Sequence, residues 1–174
     1  EVFLNCNYSE QYKIDYDNDK ILINKTPQYN EMFINSFLLN DFIRYYRTIT
    51  TDFEYKVSEA GKSWGLRNIK LTFSRKILYF AGVLVVAETY KKKREDKIKT
   101  LQELLELSPI ERIEKICKSN ENALYLYDEF LSKISDDRTR KILEKVQREE
   151  RKNCMEYVEL KNKSKEFSKE LQNI

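Results

Sequence analysis

The sequence predicts an all-α protein, a bundle of about five helices with a short non-helical N-terminal lead-in and a long C-terminal helix. Three observations favour this fold. The 174 residues include only three Gly and two Pro, and 35% of them are charged, a composition typical of long helices. Helix-start signals recur along the chain, and one stretch is apolar on every side. A chain of this length forms one domain, which we place at residues 27–174 behind a lead-in at 1–26.

The lead-in is aromatic, acidic and rich in Asn, with a strand-like apolar run at Lys20–Asn24. Its acidic part, Asp15-Tyr-Asp-Asn-Asp19, resembles the start of an EF-hand loop. However, Lys20 replaces the required Gly, and Thr26 replaces the Glu that binds calcium through both oxygens. No Gly-Ser turn precedes this part, so it also fits a magnesium site poorly. We expect a solvated acidic loop and no metal.

The first two long helices follow the lead-in. Thr26-Pro27 is typical of an N-cap with proline at the first helical position, which predicts a helix from there to the stop at Glu59-Ala60-Gly61. A second helix is predicted from about Gly65 to Lys92. Its half at Ile77–Ala87 is apolar all round, which indicates a buried central helix. This apolar run is well short of the roughly 20 residues that span a bilayer.

The C-terminal half contains the strongest helix-start signal. Ser108-Pro-Ile-Glu111 combines an N-cap serine, an N1 proline and an N3 glutamate, which predicts a capping box. Further helices are predicted from about Asn120 to Ile134 and from Asp136 to near the end, with Ser135 as the cap. Polar residues interrupt a heptad register in the last helix, so we expect it to pack one face on the bundle.

The composition excludes several classes of enzyme. There is no histidine, which removes the commonest general base and triad partner and an important zinc ligand. Cys6, Cys117 and Cys154 show no C-x-x-C spacing and are interpreted as reduced, buried thiols, and no signal peptide is visible; both points favour a cytoplasmic protein. The net charge of +3 is small, so a basic binding site must be local.

One polar stripe stands out on the first long helix. At about 100° per residue its members share an arc of about 60° that is bordered by aromatic bulk. They are Asn40, Arg44, Arg47 and Thr51. Arginines in such a groove are preorganised donors for phosphate or carboxylate. The alternative is that Arg44 and Arg47 pair with acids of their own helix, which are Asp41, Asp52 and Glu54.

The second long helix opens with a basic stretch, immediately before its apolar half. Arg67, Ser74 and, more loosely, Lys70 share one side, and Arg75 lies toward Asn68. Polar groups at the mouth of a buried helix must find partners. Those partners lie either inside the bundle or on a ligand phosphate, and the spacing does not choose between the two.

These residues carry a family resemblance. Phe37–Thr48, Lys62–Leu71 and Ser74–Lys76 are similar to the helical C-terminal half of a bacterial nucleotidyltransferase-like family of the DNA polymerase beta superfamily. The resemblance covers Phe37 to Ala87, about a third of the chain. In that superfamily an upstream α/β domain performs the chemistry, with a Gly-Ser turn for the nucleotide phosphates and acidic residues for magnesium ions. This sequence contains neither element.

The resemblance implies that the chain is a fragment, inactive by itself, and that residues 1–26 are compatible with the end of the missing domain. Magnesium and a nucleoside triphosphate are then cofactors of the full-length protein. A nucleotide or nucleic-acid backbone is the implied partner of the arginine-lined groove. The implied phosphate-facing residues are Asn40, Arg44, Arg47, Arg67, Lys70, Ser74 and Arg75.

A different function is compatible with the same residues. The chain is then a helical protein interaction module, with the charged C-terminal helix as the partner surface and the arginines in internal salt bridges. This hypothesis predicts that removing a groove arginine destabilises the fold by several kcal/mol, because a buried carboxylate loses its partner. Under the nucleotide hypothesis the same change costs little stability. Neither hypothesis includes a membrane.

Overall fold

The computed structural model of the chain describes residues 9–17, 20–28, 35–118 and 121–174. Helices form most of this part, and the predicted all-α fold is confirmed. The elements are β1 (Ser9–Asp17), β2 (Lys20–Gln28), α1 (Ser36–Ser58), α2 (Trp64–Lys70), a π-helical turn (Leu71–Arg75), α3 (Lys76–Thr89), α4 (Arg94–Glu106), α5 (Pro109–Ile116), α6 (Glu121–Ser135), α7 (Asp137–Lys145) and α8 (Met155–Asn173).

The lead-in contains an antiparallel hairpin of β1 and β2, with Ile14 opposite Ile23. The predicted strand-like run at Lys20–Asn24 is therefore confirmed as part of β2. The prediction that a helix begins at Thr26-Pro27 is wrong, because both residues lie in β2. Proline is tolerated here because both strands of a two-stranded ribbon are edges.

The acidic segment was also predicted incorrectly. Asp15 and Asp17 belong to β1, and Asp17 is paired with Lys20 at the start of β2, so these residues form a strand and not a loop. Asp19 lies outside the described residues.

The first helix begins later than predicted and ends where predicted. Asn35 is its N-cap, and the Asn35 Oδ1 accepts a hydrogen bond of 3.3 Å from the Leu38 N–H. The helix ends at Ser58, and Gly61 follows in the left-handed region with φ of 59°. The Asn35 side chain thus satisfies one of the N–H groups of the first turn that have no partner within the helix.

The predicted helix from Gly65 to Lys92 is present but divided. It consists of α2, the π turn and α3, and it ends at Thr89. The π turn holds the core aromatic Phe73, whose ring stacks on Phe130 at 4.5 Å and on Phe167 at 5.2 Å between centroids. The apolar half, α3, is central as predicted, since it contacts α1, α4 and α5.

The capping box at Ser108 is confirmed. The Glu111 N–H donates to the Ser108 Oγ at 3.3 Å, and the Ser108 N–H donates to the Glu111 Oε2 at 2.7 Å. The helix before it, α4, was not predicted. Helix α4 buries Lys97, Leu101 and Leu104, whose spacing of four and three places them on one face of the helix. With α4, the described chain has more helices than the predicted five.

The predicted last helix is two helices, α7 and α8. The cap of α7 is Asp136 and not Ser135, because the Asp136 Oδ2 accepts from the Thr139 N–H at 2.8 Å. The break follows Val146, whose carbonyl accepts a tertiary bond of 3.1 Å from the Gly65 N–H. The prediction that the C-terminal helix packs one face on the bundle is confirmed, and the buried residues of α8 are Tyr157, Leu160, Ser164, Phe167 and Leu171.

Two further sequence predictions concern burial and the membrane. Cys117 is buried and Cys154 is half-buried, whereas Cys6 lies outside the described residues. Among the residues that the structure describes, no helix is both long enough and apolar enough to cross a bilayer.

Candidate anion-binding site

A cleft of about 140 Å³ lies between α1 and the segment formed by α2 and the π turn. The α1 side supplies Ile49, Asp52, Phe53 and Lys56, and the other side supplies Arg67, Lys70, Leu71 and Arg75. The structure thus brings together three of the predicted site residues, which are Arg67, Lys70 and Arg75.

The π turn explains how these three cations share one face. Arg67 and Lys70 are three residues apart in α2, a spacing that stacks side chains on one side of an α-helix. Arg75 is five residues beyond Lys70, and in a regular α-helix that spacing places two side chains about 140° apart. A π turn closes hydrogen bonds between residues five apart, which brings Arg75 back above Lys70.

The electrostatics of the cleft are unfavourable for Lys70. Burial lowers the pKa of Lys70, and the nearby charges of Arg140, Arg67 and Arg75 lower it further, whereas Glu144 acts in the opposite direction. Arg140 is on α7 and is 3.6 Å from Glu144 through its Nε, so α7 brings one cation and one acid to the same region. Lys70 is held against like charges, and a bound anion would relieve this repulsion.

In the part of the chain that the structure describes, no ion pair involves Arg67, Lys70 or Arg75. Asp52 lines the cleft, but its Oδ2 is 2.6 Å from the Nζ of Lys56 on the same helix. The cleft therefore has an excess of positive charge, in which Arg67 and Lys70 are half-buried and Arg75 is exposed. Guanidinium and ammonium groups are suited to phosphate oxygens.

The other predicted residues lie elsewhere. Asn40, Arg44 and Arg47 are exposed on α1 and do not line the cleft. Arg44 is nine residues before the buried Phe53, which places the two about 180° apart around the helix. Ser74 is half-buried in the π turn and is not a cleft residue either. The cleft therefore contains predicted residues of α2 and the π turn but not those of α1.

Asp52 and Glu54 of α1 pair with other cations. Glu54 accepts two hydrogen bonds of 2.8 Å from Arg148, in the loop before α8, and Asp52 pairs with Lys56. Within the described residues, no ion pair joins Arg44 or Arg47 to a carboxylate. The proposed internal salt bridges of these two arginines are absent from this part of the chain.

Sequence reasoning missed the contributions of Lys56 and Arg140 to this region. A signal for the basic side was available, since no Asp or Glu occurs between Glu59 and Glu88 while five Lys and Arg residues do. Arg140 had no such signal, because it comes from a helix 70 positions beyond Lys70 in the chain.

The cleft does not fit a magnesium ion. Asp52 is the acidic residue among the described lining residues, and Lys56 already neutralises it. Over the described ranges, no group of three or more Cys, Asp and Glu side chains is arranged to hold a metal. Magnesium prefers several oxygen ligands, so the phosphates of a nucleotide fit this cleft better than the metal does.

Comparison of the chain with protein-family models, with curated proteins and with solved structures gives no match.

Proposed function

We propose that this chain is the nucleotide-facing or substrate-facing helical domain of a nucleotidyltransferase-like protein and is not catalytic by itself. The observation that supports this proposal is the meeting of Arg67, Lys70 and Arg75 in one cleft, where none of the three forms an ion pair with a described residue. The ligand class is a phosphate-bearing molecule, a nucleotide or a nucleic-acid backbone.

Each cleft residue has a distinct task in this proposal. The planar guanidinium groups of Arg67 and Arg75 donate paired hydrogen bonds to phosphate oxygens, and the Lys70 ammonium acts as a compact charge between them. Positioning and charge neutralisation are the main contributions that a protein makes to phosphoryl transfer. The reacting groups and the metal ions belong to another domain in this scheme.

Isothermal titration with sodium tripolyphosphate and with ATP, both without metal, tests the proposal. Lys70→Gln should weaken the binding of both severalfold, and Lys70→Arg should restore it because the charge returns. Lys99→Gln is the matched control, since Lys99 is exposed on α4 and outside the cleft. Equal affinities of Lys70→Gln and Lys99→Gln would overturn the proposal.

An interaction module remains a second candidate, supported by exposed aromatic residues on α1. Phe37 is 55% exposed, Tyr45 47% and Tyr55 61%. The C-terminal helix is a weaker candidate for this surface because its apolar face is buried in the bundle. The module predicts a mass in light scattering that rises with protein concentration and falls in Phe37→Ser, with tripolyphosphate binding unchanged by that substitution.

A further inference from the structure

The helix that carries the cleft has a second polar side, which faces α8. Asn68 links this side to α8, because its Oδ1 accepts hydrogen bonds from the Tyr157 hydroxyl at 2.9 Å and from the Lys161 Nζ at 3.2 Å. Two turns further along, the Lys76 Nζ donates to the Ser168 Oγ at 2.6 Å. All the acceptors in these contacts are neutral.

In the described part of the chain, no ion pair involves Lys76 or Lys161. Glu159, the acid of α8 closest in sequence to Lys161, lies near two other lysines, Lys133 at 3.5 Å and Lys163 at 3.6 Å.

The surroundings of both ammonium groups disfavour the charged form. Burial lowers the pKa of Lys76, and it lowers the pKa of Lys161, to which the charges of Lys76 and Lys165 add. Two half-buried lysines that repel each other and have only neutral partners destabilise the folded state, unless an anion binds between them.

We infer that Lys76 and Lys161 form a second phosphate subsite, and that a single-stranded nucleic acid occupies both this subsite and the cleft. The inference rests on the proposed function, since it takes the cleft as the first subsite. Arg67 and Asn68 are adjacent and so lie on neighbouring sides of one helix, and Asn68 and Lys76 are about 12 Å apart along its axis. A mononucleotide holds its phosphates in one short run, whereas a nucleic-acid strand presents phosphates along its whole length.

The full chain is tested with two probes, thymidine monophosphate and a fluorescein-labelled oligothymidylate of about eight nucleotides. Fluorescence anisotropy and titration calorimetry give affinities at several salt concentrations. The variants are Lys161→Gln and Lys76→Gln for the second subsite, Lys70→Gln for the cleft and Lys99→Gln as the matched control for net charge.

The inference predicts that Lys161→Gln and Lys76→Gln weaken oligonucleotide binding severalfold and leave the mononucleotide affinity unchanged. The slope of log affinity against log salt should fall by about 0.7 for each lost phosphate contact. Lys161→Arg should restore the oligonucleotide affinity because it keeps the charge. The fluorescence of Trp64, the sole tryptophan, reports whether each variant is folded.

The two proposals fail separately. If Lys161→Gln and Lys76→Gln bind the oligonucleotide like Lys99→Gln while Lys70→Gln binds it weakly, the second subsite is overturned and the cleft stands. If only Lys70→Gln resembles the control, the cleft is overturned and the Lys76 and Lys161 subsite is supported. Equal loss of mononucleotide binding in all subsite variants would overturn the assignment of two separate subsites.

Discussion

Gly65 and Val146 lie in direct contact and join α2 to the end of α7. The Gly65 N–H donates to the Val146 carbonyl at 3.1 Å, and a Cβ at position 65 would lie 2.6 Å from the Val146 Cβ and 2.6 Å from the Leu143 carbonyl oxygen. The two helices approach this closely because position 65 has no side chain. The same contact holds α7 beside α2, where Arg140 influences Lys70.

Gly65→Ala should therefore destabilise the protein by about 1 to 3 kcal/mol, because backbone and Cβ atoms must move to admit the methyl group. Urea unfolding followed by Trp64 fluorescence measures the change. Gly82→Ala is the comparison, since the three atoms nearest to the added Cβ belong to the half-buried side-chain ring of Phe42 and none of them is a backbone atom. A smaller loss in Gly65→Ala than in Gly82→Ala would contradict the role given to the Gly65 contact.

The exposed arginines of α1 should contribute little to stability. Arg44→Gln and Arg47→Gln are expected to change the free energy of unfolding by no more than about 0.5 kcal/mol, because each is exposed and has no ion pair among the described residues. Arg112→Gln is the contrasting variant. Its Nε and Nη2 donate to the carbonyls of Leu104 and Leu105 at 2.8 and 3.0 Å, at the end of α4.

Chemical unfolding of the three variants checks this prediction. Loss of the Arg112 contacts should cost about 1.5 to 3 kcal/mol, the usual value for hydrogen bonds to a charged group. A loss of several kcal/mol in Arg44→Gln would show that this arginine is paired internally and would favour the interaction module.

The helical fold was predictable because its signals are local. The capping box at Ser108 and the all-apolar half of the second helix depend on residues within one or two turns, and both were confirmed. The predicted start of α1 was wrong because Thr26-Pro27 has the local pattern of a helix start, whereas the pairing of β2 with β1 decides the conformation of these two residues. Tertiary pairing overrides propensity in such cases.

The candidate site was predictable only in part. The basic residues of α2 share a face through local helix geometry, so Arg67 and Lys70 were found. The orientation of α1 depends on long-range packing, and the sequence pattern did not reveal that the side of α1 that carries Phe53, and not the side that carries Arg44, faces the cleft. Arg140 reaches the region through long-range packing of α7, which no local pattern specifies.

The Tyr157 hydroxyl should make the stability fall at alkaline pH. Burial raises the pKa of Tyr157 from its usual 10.0 to about 12, and the side chain is 3% exposed. A raised folded-state pKa stabilises the protein fully below pH 10, and this contribution of about 3 kcal/mol is lost as the pH rises to 12. Lysines with lowered pKa act in the opposite direction, but they are common to wild type and variant.

The difference in unfolding free energy between the wild type and Tyr157→Phe isolates this effect. It should be largest below pH 10 and should shrink between pH 10 and 12, the window set by the two pKa values. Urea unfolding at a series of pH values gives the difference directly. A difference that stays constant across that window would mean that the hydroxyl titrates in the folded protein as it does in the unfolded chain.

Lys161 and Lys163, two residues apart on α8, should affect stability in opposite directions. Lys163 donates to the Glu129 Oε1 at 2.9 Å, a contact that raises its pKa, whereas burial lowers the pKa of Lys161. Lys163→Met should therefore destabilise the protein, and Lys161→Met should leave it as stable as the wild type or more stable, because an uncompensated charge is removed.

The two lysines should also change the free energy of unfolding in opposite directions as the pH rises. The contribution of Lys163 is complete below its unfolded pKa and is lost as the pH rises through the higher folded value. The cost of Lys161 is present below its lowered folded pKa and disappears as the pH rises toward the unfolded value, so the advantage of Lys161→Met should vanish there. Thermal and urea unfolding from neutral to alkaline pH test both signs, and a Lys161→Met variant that is clearly less stable at neutral pH would show that this lysine is retained for the fold and not for an anion.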